Sequence, residues 1–403
     1  GLLFVSDEGR EFVSLRRFDI ATGAKTPVFE PSWDVVAATY TKHGKYLVVT
    51  INEDAKFVSH VYDPTTVGAT LTEVPMPGTP AGLVRAMRFS RDETMFAFYN
   101  SDGSTPDDLW VGTMGQAPKR ITDSMNPAIE RADLVAPQPV RFKSYDGVEI
   151  PGLLYKPHQA SEKTKAPALV LVHGGPGGQA TVNFSSLVQC LVNHGYVVYD
   201  INNRGSSGYG KTFFKMDDQK HGEADLGDCV AAKTMLAGTG YVDSTKIGII
   251  GGSYGGYMTL AALTLQPDAF KVGVDLFGIS NWVRTLESIP PYWESFRAAL
   301  YAEMGDPKTD AERLHRISPL FNAEKIKVPL MVLQGANDPR VLKVESDNIV
   351  EAAKKNGVAV EYVVFEDEGH GFLKKENEIE GTGKILTFLD QYLKGAAAKT
   401  AAS

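Results

Sequence analysis

A serine, an aspartate and a histidine occur in this chain in the order and the local settings that nucleophilic catalysis requires. Ser253 is the centre of the segment Gly251-Gly-Ser-Tyr-Gly255, which matches the pattern G-x-S-x-G. The bare pattern is weak evidence, but here it follows the apolar run 247–250 and precedes the helix-like run 257–265. A strand, a sharp turn and a helix in this order predict an elbow that holds the Ser253 hydroxyl above a sheet edge.

Asp338 and His370 are the candidate partners of this serine. A serine hydroxyl is a poor nucleophile at neutral pH unless a base takes its proton and an acid orients that base. Asp338 follows the apolar run 330–334, and His370 lies between two glycines after the run 361–365. Nucleophile, acid and histidine occur in this order in α/β-hydrolases. We therefore predict a catalytic triad of Ser253, Asp338 and His370.

A glycine-rich turn is the candidate oxyanion hole. The apolar run 168–172 ends in His173-Gly-Gly-Pro-Gly-Gly178. A tetrahedral intermediate needs preorganised N–H donors, and we predict those of Gly175 and of Tyr254, which follows the nucleophile. A tight turn without a catalytic role is the alternative for these glycines.

One further motif indicates different chemistry. The segment Gly205-Ser-Ser-Gly-Tyr-Gly-Lys-Thr212 matches the nucleotide-binding pattern G-x-x-x-x-G-K-[ST], in which Lys211 would contact phosphates and Thr212 would hold Mg²⁺. No clear helix start follows it, so nucleotide binding is a remote alternative. No histidine belongs to an H-E-x-x-H pair, and we interpret 221–225 as a charged helix start. We expect neither a metal ion nor another cofactor.

The elements that would position these residues alternate between strand-like and helical runs after residue 130, which predicts an α/β-hydrolase fold with a mostly parallel, doubly wound sheet. A closing amphipathic helix is predicted over 385–393. The predicted strands of this sheet are 168–172, 196–201, 247–250, 272–277, 330–334 and 361–365.

Residues 1 to about 130 contain short β-rich runs separated by turns. The segment 40–49 resembles the segment 89–98, and a repeat of about 40–50 residues with several strands is typical of β-propeller blades. We predict a partial propeller of two to three blades over 1–132, a hydrolase domain over 133–395 and a flexible tail over 396–403. A small irregular β-domain is the alternative for the first part.

Composition excludes several classes of protein. The 403 residues carry a formal net charge of −8, so we expect no nucleic-acid partner. No window of about 18 apolar residues free of charge occurs, so we expect no membrane span. We expect the two cysteines, Cys190 and Cys229, to be free thiols. Because the first residue is Gly1, we expect the chain to have been processed or recorded incompletely, and its compartment stays open.

Taken together, these motifs resemble the prolyl oligopeptidase family of serine hydrolases, most of all its acylaminoacyl-peptidase and bacterial dipeptidyl-peptidase-like branch. The resemblance covers nearly all of residues 137–395. The segments that carry it are Asp146-Gly147, Ile150-x-Gly152, His173-Gly-Gly-Pro176, Asn203-Arg-Gly-Ser-x-Gly-Tyr-Gly210, Gly251-Gly-Ser-Tyr-Gly-Gly-Tyr257, Ser318-Pro319, Gly335-x-Asn-Asp-x-Arg-Val341 and Glu368-Gly-His-Gly-Phe372.

The resemblance implies a β-propeller above the hydrolase domain and cleavage of short peptides at their interface. It implies that Arg340 holds a substrate carbonyl and that Trp282, with Phe277, Tyr292 and Trp293, forms an apolar pocket; a surface arginine and core aromatic residues are the alternatives. Most of the propeller is absent from the sequence, so we expect the chain to pair with a missing N-terminal fragment or with a second copy.

The function predicted from these observations is that of a serine peptidase acting on short peptides through an acyl-enzyme. A carboxylesterase acting on short acyl esters is the main alternative. A nucleotide-binding protein and an inactive binding module are more remote alternatives.

Overall fold

The computed structural model describes residues 1–65, 71–80 and 82–395, and the predicted tail 396–403 lies outside this range. Contacts divide the chain into two compact units. The first unit comprises 1–137, 181–189 and 207–214, and the second comprises 138–180, 190–206 and the residues from 215 onward. The domain boundaries at 132/133 and 395/396 stay predictions.

The described residues of the first unit form three antiparallel sheets, in each of which neighbours in sequence pair with each other. The first sheet consists of β1 (Leu2–Ser6), β2 (Ser14–Phe18) and β3 (Lys25–Phe29). The second consists of β4 (Asp34–Tyr40), β5 (Leu47–Glu53), β6 (Lys56–Asp63) and β7 (Thr72–Glu73). The third consists of β8 (Leu83–Phe89), β9 (Met95–Ser101), β10 (Asp108–Thr113) and β11 (Lys119–Arg120).

The second and third sheets repeat the same local structure. In the turn between β4 and β5 the N–H of Gly44 donates to the carbonyl of Thr41, and between β8 and β9 the N–H of Glu93 donates in the same way to Ser90, each over 3.0 Å. The repeat seen in the sequence is therefore a repeat of antiparallel four-stranded sheets. Consecutive antiparallel sheets of four strands are typical of propeller blades, and the predicted partial propeller is confirmed.

Strand alternation explains how these sheets pack. Along β5, Leu47, Val49 and Ile51 join one buried cluster, which contains Leu15 of the first sheet. Val48 points to the opposite face and joins a second cluster with residues of β8 and β9. Successive side chains of a strand face opposite sides of its sheet, so one strand contributes to two cores.

The second unit is built on an eight-stranded sheet with the order β12-β13-β15-β14-β16-β17-β18-β19. The strands from β15 through β14 to β19 run parallel, whereas β12 and β13 add an antiparallel edge. Their bounds are β12 (Gln138–Lys143), β13 (Glu149–Tyr155), β14 (Ala166–Val172), β15 (Val197–Ile201), β16 (Val242–Gly252), β17 (Gly273–Leu276), β18 (Leu330–Gly335) and β19 (Val360–Phe365).

Helices lie along the chain between these strands. The predicted α/β-hydrolase fold is confirmed, since chain order runs outward from β14 first in one direction and then in the other. The helices are α1 (Ser186–Asn193), α2 (Lys211–Phe214), α3 (Ala224–Ala237), α4 (Tyr254–Leu265), α5 (Trp282–Glu287), α6 (Glu294–Met304), α7 (Ala311–Ile317), α8 (Lys343–Lys355) and α9 (Lys375–Leu389), and a π-helical turn, Asp390–Lys394, extends the last.

The described residues contain no helix long and apolar enough to cross a membrane. Cys190 is partly buried and Cys229 is buried, and both are free thiols, as the sequence predicted.

Candidate active site

Ser253 lies at a sharp turn between β16 and α4. Its backbone has φ 58° and ψ −116°, a conformation that L-residues other than glycine seldom adopt. The turn is held in place because the N–H of Ser253 donates to the carbonyl of Leu276 over 2.9 Å, and its carbonyl accepts from Tyr257 over 3.0 Å. The predicted strand–turn–helix elbow is present.

The glycines on both sides of Ser253 are required by close backbone packing. A Cβ atom on Gly251 would lie 2.3 Å from the carbonyl oxygen of Gly255, and one on Gly255 would lie 1.9 Å from that of Val172. Real Cβ atoms do not approach this closely, so the G-x-S-x-G pattern has a steric origin here.

The structure brings Ser253, His370 and Asp338 together. His370 Nε2 lies 3.0 Å from Ser253 Oγ, and Nδ1 lies 2.7 Å from Asp338 Oδ2. The other carboxylate oxygen, Oδ1, accepts the N–H groups of Arg340 and Val341 over 2.8 and 3.0 Å. The side chain of Asp338 has no exposed surface. A base in contact with a hydroxyl and oriented by a buried carboxylate is the arrangement that activates a serine.

Glu368 and Phe277 contact the loop and the ring of His370 in ways that the sequence did not predict. The carboxylate of Glu368 accepts the N–H groups of Leu373 and Lys374 over 3.2 and 2.8 Å, which closes the loop that carries the histidine. The ring of Phe277 lies 4.8 Å from the His370 ring, centroid to centroid. The resemblance predicts Phe277 as a pocket residue, but the structure places its ring beside the imidazole, where it can hold His370 in position.

The glycine turn after β14 lies against the elbow. A Cβ on Gly174 would come within 3.4 Å of the Ser253 side chain. His173 braces this turn, because its Nδ1 lies 2.8 Å from the Gly174 carbonyl and its Nε2 lies 2.8 Å from Ser206 Oγ. Burial lowers the pKa of His173, which favours the neutral ring. The His-Gly-Gly-Pro segment was a visible signal, but nothing in the sequence paired it with Ser206.

The two predicted oxyanion donors, the N–H groups of Gly175 and Tyr254, lie in different local structures. Gly175 lines the same cavity as Ser253. Tyr254 is the first residue of α4, and the first N–H groups of a helix have no acceptor within it. Its phenol is wholly buried and donates to Oδ2 of Asp225. The other carboxylate oxygen of Asp225, Oδ1, accepts the N–H groups of Gly222 and Leu226 over 2.7 and 2.8 Å.

A cavity of about 590 Å³ opens in front of Ser253 and His370. Arg340, which is exposed, and Trp282, which is buried, both line it. Of the other predicted pocket residues, Trp293 lines the cavity, whereas Phe277 and the 78% exposed Tyr292 do not. The remaining apolar lining consists of Pro176, Ile279, Ile289, Pro290, Phe296, Leu300, Pro339 and Val341.

The candidate phosphate-binding lysine already has acidic partners. Lys211 Nζ donates to the carbonyl of Asp7 over 2.7 Å and lies 3.2 Å from its carboxylate. Thr212 Oγ1 donates to Glu11 over 2.9 Å. Because carboxylates surround the groups that would bind phosphate and Mg²⁺, the motif does not support nucleotide binding.

One cluster of metal-ligand type occurs in the described residues. Asp217, His221 and Glu303 each offer a donor atom, and these atoms lie within 4.8 Å of one another. The segment 221–225, interpreted from the sequence as a charged helix start, does precede and enter α3. The cluster could not be read from the sequence because Glu303 comes from α6, far along the chain.

Comparison with known proteins defines the family. A model of the prolyl oligopeptidase family matches residues 182–396, more than half of the chain. The chain belongs to this family. It is similar to dipeptidyl aminopeptidase BIII of Pseudoxanthomonas mexicana, with 35% identity over 98% of this chain and 58% of the relative. It is also similar to the acylamino-acid-releasing enzyme of Arabidopsis thaliana, with 28% identity over 57% of this chain and 30% of the relative.

Solved structures share the fold. A puromycin hydrolase superposes with a TM-score of 0.87 at 24% identity, covering 99% of this chain and 61% of that one. The acylaminoacyl peptidase of Pyrococcus horikoshii gives a TM-score of 0.80 at 24% identity, covering 98% of this chain and 60% of that one. The chain thus spans less than two thirds of the length of these proteins.

Proposed function

We propose that this chain is a serine peptidase that cleaves short peptides through an acyl-enzyme. The observation that carries the proposal is a chain of two hydrogen bonds. It runs from Ser253 Oγ through both ring nitrogens of His370 to the buried carboxylate of Asp338. Membership of the prolyl oligopeptidase family supports the same chemistry.

The geometry supports the following roles. His370 Nε2 takes the Ser253 proton while Oγ attacks the substrate carbonyl, and the N–H groups of Gly175 and Tyr254 stabilise the oxyanion. Asp338 stabilises the imidazolium, which then passes its proton to the leaving amine. After the amine leaves, a water molecule takes its place and attacks the acyl carbonyl while His370 accepts a proton from it. The acyl group is released as an acid, and the proton returns from His370 to Ser253. None of these steps requires a metal ion or a cofactor.

The cavity supports a preference for an apolar side chain next to the cleaved bond. Trp282 and Trp293 form part of its wall, and Arg340 brings five N–H donors to its mouth, where they can hold a peptide carbonyl. Relatives named as dipeptidyl and acylamino-acid-releasing enzymes support short peptides with either a free or an acylated amino terminus as substrates.

We also propose that the chain works together with a further propeller fragment or with a second copy of itself. The described residues of its first unit form three sheets, fewer than the four to eight blades of a closed propeller.

The test is a paired assay. Anilides of short peptides, with free and with acylated amino termini, are compared with p-nitrophenyl esters of short acids. Ser253→Ala is the inactive variant, and Ser244→Ala, an exposed serine at the other end of β16, is the matched control. The proposal predicts that anilide and ester turnover are both lost in Ser253→Ala and both kept in Ser244→Ala.

Two other outcomes are informative. Ester turnover without anilide turnover, with the same dependence on Ser253, identifies a carboxylesterase and overturns the peptidase assignment. No turnover together with no labelling of Ser253 by a fluorophosphonate identifies an inactive binding module and overturns the proposal altogether.

A further inference from the structure

Three side chains behind the elbow are arranged like the ligands of a metal ion. Asp217 and His221 lie on the connection between α2 and α3, and Glu303 lies near the end of α6. His221 Nε2 is 3.2 Å from Asp217 Oδ2 and 3.7 Å from Glu303 Oε1. Ligand atoms about 2.0–2.1 Å from a tetrahedral Zn²⁺ are about 3.3 Å apart, which the separation of 3.2 Å matches. All three donor atoms lie within 4.8 Å of one another, so Glu303 has to move inward for the three to bind one ion.

The donors in this cluster are buried and poorly satisfied by the protein. The side chains of His221 and Asp217 are 0% and 1% exposed. Within the described ranges, neither ring nitrogen of His221, nor Oδ1 of Asp217, nor Oε1 of Glu303 meets the geometry of a hydrogen bond. Buried polar atoms normally have partners, so this cluster lacks a partner that a cation would supply.

The charges around the cluster also favour a cation. The buried Asp225 lies close enough to interact electrostatically with both Asp217 and His221, and the partly exposed Asp218 interacts with His221 and Glu303. Lys215 is the cation that interacts with Asp218. The titratable groups that face His221 are therefore mainly carboxyl groups, and a bound cation would stabilise their charged forms. Buried charge is costly unless it is paired or bound to a metal.

We propose that Asp217, His221 and Glu303 form a binding site for a divalent transition-metal ion, for which Zn²⁺ is the best fit. An imidazole nitrogen with carboxylate oxygens suits Zn²⁺ and related ions, whereas Mg²⁺ and Ca²⁺ prefer oxygen ligands alone. Glu303 is 16% exposed, so the site has a side from which an ion and a water ligand can enter.

An ion at this site would act on the structure around the elbow. The His221 ring packs edge-on against the ring of Tyr254, with centroids 5.8 Å apart and planes at 87°. Tyr254 directly follows Ser253 in the chain. A metal ion that holds the His221 ring in place would therefore also restrict the Tyr254 ring that packs against it. The site itself is independent of hydrolysis, and metal binding is measured without any substrate.

The experiment uses the full chain after treatment with a chelator. Zn²⁺ is titrated by calorimetry, its effect on the thermal midpoint is measured, and Co²⁺ is added as a spectroscopic probe. The variants are His221→Asn, Asp217→Asn and Glu303→Gln. The matched control is His158→Asn, which removes an exposed histidine outside the cluster.

We expect one Zn²⁺ per chain, a higher thermal midpoint with Zn²⁺ and a visible Co²⁺ spectrum typical of four-coordination. Affinity should fall at least about tenfold in each ligand variant and stay unchanged in His158→Asn. Because Glu303 is partly exposed, Glu303→Gln tests the site even if His221→Asn does not fold. Absence of saturable binding, or binding that Glu303→Gln leaves unchanged, overturns the proposal and leaves a buried ion pair in its place.

Discussion

Tyr254 connects the candidate nucleophile to the interior of the second unit. Its N–H is a candidate oxyanion donor, while its phenol is tied to Asp225 and its ring lies 6.0 Å from that of Trp282, which lines the cavity. One side chain therefore couples the position of a backbone donor to the wall of the substrate pocket. A donor that is displaced by a fraction of an ångström loses much of its effect on the transition state.

Replacing Tyr254 by phenylalanine should lower kcat with little change in KM. The variant removes the bond to Asp225 but keeps the ring, and Asp225 retains two backbone N–H donors, so the fold should survive. We expect a loss of about tenfold in kcat, which is smaller than the roughly 10²–10³-fold loss that follows from removing an oxyanion donor outright. Steady-state kinetics with a p-nitrophenyl ester measures this.

Tyr257→Phe on the same helix is the control, because its phenol bonds only weakly, over 3.3 Å, to the carbonyl of Ile317. Equal losses in the two variants would show a general effect of the helix and contradict the coupling through Asp225.

Replacing Asp338 by asparagine should abolish most activity without unfolding the chain. Oδ1 accepts two backbone N–H groups, so the amide oxygen of an asparagine must take that place and its NH₂ group must face His370. The NH₂ group then donates to Nδ1 and leaves the proton on Nε2, where the base is needed. We expect kcat to fall about 10³–10⁴-fold, with an unchanged thermal midpoint; a loss under tenfold would contradict the role of Asp338.

The residues at this site differ in how far the sequence could reveal them. Ser253, Asp338 and His370 each follow a strand, and an edge common to parallel strands brings such residues together. Ser206, Glu368 and the positioning role of Phe277 depend on loop conformation. The cluster of Asp217, His221 and Glu303 depends on where α6 packs, which no local pattern encodes.

At the scale of elements, the strongly apolar parallel strands were the most predictable part. The six predicted strands are all present, but β16 begins at Val242, five residues before the prediction, because its first half is polar. The antiparallel edge strands β12 and β13 were not predicted, since their mixed sequences lack a long apolar run. Likewise α9 begins at Lys375, while the apolar periodicity begins only at Ile385.

His60 on β6 should make the stability of the second blade depend on pH. Hydrogen bonds with Glu53 on β5 and Glu73 on β7 outweigh burial and raise the pKa of His60 to about 9. A raised pKa stabilises the fold below the ordinary histidine pKa of 6.5, and this contribution is lost as pH rises through about 9.

The measurement is chemical unfolding of the wild type and of His60→Gln at pH 6 and at pH 10. We expect the free energy of unfolding of the variant to be lower by about 1–2 kcal/mol at pH 6, a figure that allows for the partial exposure of His60 and its two glutamates. The difference between variant and wild type should shrink at pH 10. His158→Gln, at an exposed position, is the control. A difference that is the same at both pH values would show that His60 acts through packing alone.

Asp275 in β17 should also make the chain less stable as the pH rises, in this case through the second unit. This side chain is fully buried, with its carboxylate against the backbone of Gly256 and Gly278. Burial raises its pKa to about 8, against the opposing effect of the Gly278 N–H. An acid with a raised pKa in the folded state costs stability once pH exceeds its unfolded value, and the cost grows until pH reaches about 8.

Asp275→Asn removes this charge with little change in shape. We therefore expect the variant to be more stable than the wild type at pH 8, by about 1–3 kcal/mol, and nearly equal to it at pH 4. Chemical unfolding at the two pH values measures this. A variant that is less stable at pH 8 would mean that the carboxylate is satisfied by contacts worth more than its desolvation.

At the scale of the whole molecule, the open edges of the first unit matter most. In the part of the chain that the structure describes, β1 pairs with β2 on one side and with no strand on the other. Leu2 and Val5 on this strand are 59% and 40% exposed. An exposed apolar edge strand is a template for pairing with another chain, and this is the physical basis of the proposed association.

We expect the chain to associate with itself as its concentration rises, so that light scattering after size exclusion gives a mass above 43.8 kDa. Val5→Lys should return the mass to that of one chain, because a lysine on an edge strand opposes pairing. Ile20→Lys, at a 66% exposed position in the turn after β2, is the control for added charge. A single species of 43.8 kDa at every concentration would show that this edge does not join two copies and would overturn the proposed self-association.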